Sequence, residues 1–86
     1  MKANARVRKE ILQVVENQIN ENNPVETRQT LNRLVKAGYA KEEAKIMIAQ
    51  CVSVEIFNVM KYMQPFDEKR FIKNLNNLPA EPFEDE

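Results

Sequence analysis

Apolar residues near the start of the chain recur at spacings of three and four. Val7, Ile11, Val14, Val15 and Ile19 fall on one stripe of a helix, and Arg6, Lys9, Gln13, Glu16 and Asn20 fall opposite. The pattern predicts an amphipathic first helix from about Ala3 to Glu21, stopped by Asn22-Asn23-Pro24. A second helix is expected to restart there, with Asn23 as N-cap, Pro24 at the first helical position and Glu26 at the third. Its inward face reads Thr27, Leu31, Leu34 and Val35. It ends at Gly38, the only glycine, where a left-handed cap needs no β-carbon, and Tyr39 is expected to fold back on the last turn.

The third periodic stretch, roughly Lys41 to Met63, is longer. At about 1.5 Å per residue it predicts a rod of about 34 Å, with Glu42 and Glu43 placed where the helix dipole favours negative charge. Ala44, Met47, Ile48, Cys51, Val52, Val59 and Met63 form a broad apolar arc, while Ile46, Phe57 and Met60 lie well round from its centre. A helix apolar on so many sides is central, or also faces a partner. Pro65 ends it. Phe66-Asp67 ahead of Phe71 then has the form of a hydrophobic staple with Asp67 as cap, and Phe71, Ile72, Leu75 and Leu78 make the apolar face of a short fourth helix that Pro79 closes.

These patterns predict an all-α fold: a compact domain of four helices over residues 1–79 around a long central third one, followed by an acidic, mobile tail at 80–86. The expected core is Val7, Ile11, Val15, Leu31, Leu34, Ile48, Val52, Val59, Phe71 and Leu75. The 86 residues leave no room for a second domain, and 43% apolar with 30% charged residues is an ordinary globular mixture. Charged residues interrupt every candidate signal-peptide run, no stretch reaches the length of a membrane span, and a lone cysteine makes no internal disulfide. The reading is therefore cytoplasmic. Net charge is zero, yet Lys2, Arg6, Arg8 and Lys9 open the chain while Glu81, Glu84, Asp85 and Glu86 close it.

Absences narrow the chemistry. The chain has no histidine, one serine (Ser53), one cysteine and one glycine, so it lacks the usual neutral-pH base, the Ser/His/Asp triad, thiolate zinc sites and glycine-rich phosphate loops. The expectation is a non-enzymatic protein that uses no cofactor. Glu55 stands out as a carboxylate in the middle of the third helix's apolar arc. It calls either for a partner, with Arg28, Arg33 or the backbone N–H groups at residues 24–26 as candidates, or for a role as ligand or acid. Cys51, Met47, Met60 and Met63 read first as core.

The order Asn23-Pro24 with Glu26, Leu31, Leu34, Gly38-Tyr39, Glu43-Ala44, Glu55-Ile56, Pro65-Phe66-Asp67 and Leu78-Pro79 resembles a family of small bacterial all-helical domains whose function is unassigned. The resemblance spans about residues 22 to 79 and implies a helical fold without an activity. Members often carry a histidine after the Glu-Ala pair and a serine before it. Lys45 and Ala40 stand there instead, so no metal or catalytic role comes with the likeness. The Ala37-Gly38-Tyr39 turn also looks like the first loop of ubiquitin-associated domains, although the third helix is far too long for that fold.

The leading expectation is a protein–protein interaction module, a homodimer or adaptor, with Ile46, Phe57 and Met60 as interface residues. The alternative is a nucleic-acid-associated regulator that uses Arg6, Arg8 and Lys9 on phosphates. No membrane partner is expected.

Overall fold

A computed structural model describes residues 5–82 of the chain. It contains four helices: α1 (Ala5–Glu21), α2 (Val25–Lys36), α3 (Lys41–Tyr62) and α4 (Glu68–Asn77). There are no strands among the described residues. The expected start of α1 at Ala3 and most of the acidic tail, Phe83–Glu86, lie outside them.

Three of the four helices stop on a left-handed residue. At the end of α1, Asn22 takes a left-handed φ of 52°, and the N–H groups of Asn22 and Asn23 return to the carbonyls of Ile19 and Gln18. The end of α2 repeats this double return, with Gly38 at φ 112° and with Gly38 and Tyr39 donating to Val35 and Leu34. That is the fold-back expected of Tyr39. Met63, at φ 56°, ends α3 with a single return to the Val59 carbonyl.

The starts differ more from expectation. Pro24, in place of Asn23, occupies the N-cap of α2, and no side chain caps that helix. Its carbonyl instead accepts from the Thr27 N–H at 3.1 Å. At α3 the Glu43 carboxylate accepts from the Ala40 N–H at 3.0 Å; alanine has no oxygen to reciprocate, so only half of a capping box is made. At α4 the Asp67 carboxylate accepts from the Arg70 N–H at 3.1 Å, and Phe66 meets Phe71 edge to face at 5.4 Å, completing the predicted staple.

The long helix organises the rest. α3 packs on α1, α2 and α4; α2 touches α1 and α4, while α1 and α4 do not pack together. The core is Val15, Leu31, Leu34, Ala44, Ile48, Ala49, Cys51, Val52, Phe71, Leu75 and Leu78. Three expected core residues fall short: Val7 is 45% exposed, and Ile11 and Val59 are only half-buried. The reason is topological. Because α4 does not reach α1, the first turns of α1 have only α3 beside them. On α2, Val35 points outward and Thr30 takes its place inside.

Candidate functional site

Two features of α3 answer to the candidate residues. The first is buried. Glu55 is fully enclosed, and both its oxygens are engaged. The Arg70 guanidinium donates through Nε to Oε2 at 2.6 Å and through Nη2 to Oε1 at 3.0 Å, and the Asp67 backbone N–H donates to Oε1 at 3.1 Å. The planar fork of arginine matches a carboxylate edge to edge, which makes such a pair both specific and strong. A buried carboxylate is thus met by one cation and one helix-start N–H, the two kinds of partner that the sequence called for. The elements supplying them differ. Arg28 and Arg33, the expected cations, sit on α2, and the expected N–H groups were those of α2's start.

Those two arginines have another role. Arg28 donates from Nε and Nη2 to the Ile19 carbonyl at 3.2 and 2.6 Å, closing the end of α1. Arg33 donates from Nη1 to the Leu78 carbonyl and from Nη2 to the Leu75 carbonyl, both at 2.9 Å, closing the end of α4. Both bring side-chain donors to carbonyls at a helix end, where intrahelical donors run out; those of Ile19 and Leu75 also accept a backbone return from Asn22 and Leu78.

No local spacing singled out Arg70: it meets Glu55 only through the way α3 and α4 pack on either side of the non-helical stretch 63–67. Sequence reading also passed over Asn58 and Asn74, polar side chains that are buried on α3 and α4. Asn58 donates to the Val54 carbonyl at 2.8 Å. Among the described residues no buried side-chain nitrogen or oxygen is left without a hydrogen-bond partner. No group of three or more Cys, Asp or Glu gathers there in a way that could hold a metal ion. Cys51 is wholly buried, and burial, with the Glu55 charge as a lesser cause, pushes its thiol up to about 12.

The second feature is the outer face of α3. Ile46, Phe57 and Met60 are 51%, 48% and 73% exposed. At about 100° per residue, Phe57 lies about 20° round from Ile46 and Met60 about 40° to the other side, so the three share one strip. Lys61 lies against this strip, its Nζ 5.4 Å from the Phe57 ring centroid and 5.2 Å from that of Tyr62. Beside the strip, between α1 and α3, runs a groove of about 410 Å³ lined by Val7, Arg8, Ile11, Leu12, Ile46, Ala49, Gln50 and Ser53.

Arg6, Arg8 and Lys9 are all exposed on α1. Their helical positions spread round the axis, about 200° from Arg6 to Arg8 and about 100° more to Lys9, so they make no single face. Only Arg8 borders the groove. No helix among the described residues is long and apolar enough to cross a membrane. No family model, curated protein or solved structure matches the chain.

Proposed function

We propose that this protein is a non-enzymatic interaction module that associates with a second copy of itself through the outer face of α3. One observation carries the reading: an unbroken 22-residue helix, packed on all three of its companions, still leaves Ile46, Phe57 and Met60 together at the surface. Its companions are too short and too few to cover it, at 17, 12 and 10 residues. An apolar strip of this length on a small domain is the usual mark of a protein contact.

Spacing along the strip suits a two-fold contact. Ile46, Ser53 and Met60 are seven residues apart along it. A seven-residue step is the repeat with which helices pack side by side. Two copies of α3 laid antiparallel about Ser53 set Ile46 of each against Met60 of the other, with the small serine at the crossing, as a self-complementary interface requires.

The test is solution mass by light scattering across a dilution series. The expected result is a dimer that dissociates on dilution, and a monomer at every concentration once Phe57→Glu places a charge in the strip. A native chain that stays monomeric at the highest concentration sinks the reading.

A further inference from the structure

The groove between α1 and α3 adjoins the place where the described chain ends. Glu81 and Pro82 lie against Gln50, Ser53 and Val54, and Gln50 and Ser53 also line the groove. One residue further on stands Phe83, followed by Glu84, Asp85 and Glu86. An extended chain advances about 3.3–3.6 Å per residue, so the first side chain after Pro82 is within reach of the groove's mouth.

The register of the helices brings a cation to the same place. Lys45 donates to Glu16 at 2.5 Å, which sets α1 and α3 against each other. Both residues sets lining the groove follow this antiparallel register, so eight residues back along α1 and eight forward along α3 bring Arg8 level with Ser53. Arg8 is exposed there. Walls of Val7, Ile11, Leu12, Ile46 and Ala49 offer an apolar slot, and its rim offers positive charge. An aromatic residue followed by three acids has the complementary chemistry, and it is tethered beside the slot at high effective concentration.

We propose that the segment Phe83–Glu86 of this same chain seats in the α1/α3 groove, with the Phe83 ring between the helices and its acids at the rim carrying Arg8. The seated segment covers Ile46 and Ser53, so it competes with a second copy for one end of the α3 strip. It thereby acts as a built-in restraint on association. The groove assignment itself does not depend on self-association, and the experiment keeps the two apart.

The test starts from the full chain carrying Phe57→Glu, so that no second copy contributes. Its amide proton–nitrogen correlation spectrum is compared with that of the same chain also carrying Phe83→Ala, and with that of the chain ended after Pro82. The expected result is a shift of the Arg8, Ile11, Ala49 and Ser53 amides in both, with those of Gly38 and Leu75 unmoved. A synthetic peptide of the sequence 80–86 added to the shortened chain returns the groove amides toward their original positions, and Arg8→Glu weakens that peptide about threefold. Groove amides that ignore Phe83→Ala overturn the proposal. So do groove shifts in the Phe57→Glu chain that vary with protein concentration, since they assign the segment to a neighbouring copy.

Discussion

Glu55 is a residue whose neighbours decide whether it stabilises or destabilises. Sealed from water, it holds only because Arg70 and the Asp67 N–H take both its oxygens. Removing one member of a buried pair strands the other, whereas removing both can be close to neutral. Glu55→Leu is therefore expected to cost about 3–5 kcal/mol in urea unfolding. Glu55→Leu combined with Arg70→Leu is expected to recover most of it, to within about 1–2 kcal/mol of the native chain. A double variant as unstable as the single one shows that the pair was not the cause.

Cys51 makes a second residue-scale prediction. Its thiol rises from 9.0 to about 12 on burial, so the fold disfavours the thiolate. Above pH 9 the unfolded chain begins to release a proton that the native chain keeps, and stability falls as pH rises through this window. A thiol-reactive disulfide reagent at pH 8 is accordingly expected to label Cys51 only as fast as the protein opens, with the rate rising steeply in urea. Immediate labelling of the native protein contradicts the burial.

At the scale of elements, three helices end on a left-handed residue, yet only one of those residues is glycine. Asn22 carries a short polar side chain that tolerates this backbone. Met63 has no such excuse: it is 87% exposed and packs on little that would compensate. Met63→Gly is expected to raise stability by about 0.5–1 kcal/mol, read from the urea midpoint, because glycine adopts φ 56° without a β-carbon. The same reasoning marks Gly38, whose φ of 112° suits no L side chain although the space beside it is empty. Elements also explain the three arginine clamps. Arg28 and Arg33 close the carbonyl ends of neighbouring helices, and Arg70 holds α4's first turn onto α3, so the short helices are tied at their ends as well as by their apolar faces.

For the whole molecule, the governing fact is an imbalance between one long helix and three shorter ones. α3 runs about 33 Å at 1.5 Å per residue, close to the molecule's longest extent of 36 Å. A rod of that length can be surrounded along its middle and still show a side at its ends. If a second copy covers that side, folding and association become coupled. A tenfold dilution is then expected to lower Tm by about 3–5 °C, whereas Phe57→Glu makes Tm independent of concentration. A native Tm that does not change on dilution argues against the contact.

Much of this architecture is written locally. Helix periodicity, the stops at Asn22, Gly38 and Pro65, and the Phe66-Asp67 staple depend on residues only a few positions apart, and so the four helices and the length of the third were legible from the chain. That Glu55 needed a partner, a cation or a helix-start N–H, was equally legible, since burial of a carboxylate imposes it wherever the partner lies; that it takes both was not. Which arginine answers, why Val7 stays at the surface, and how Arg8 comes level with Ser53 depend on the crossing of helices far apart in sequence. Only tertiary packing decided those, because a spacing of three or four orders one helix's faces and carries no information on which neighbour each face will meet.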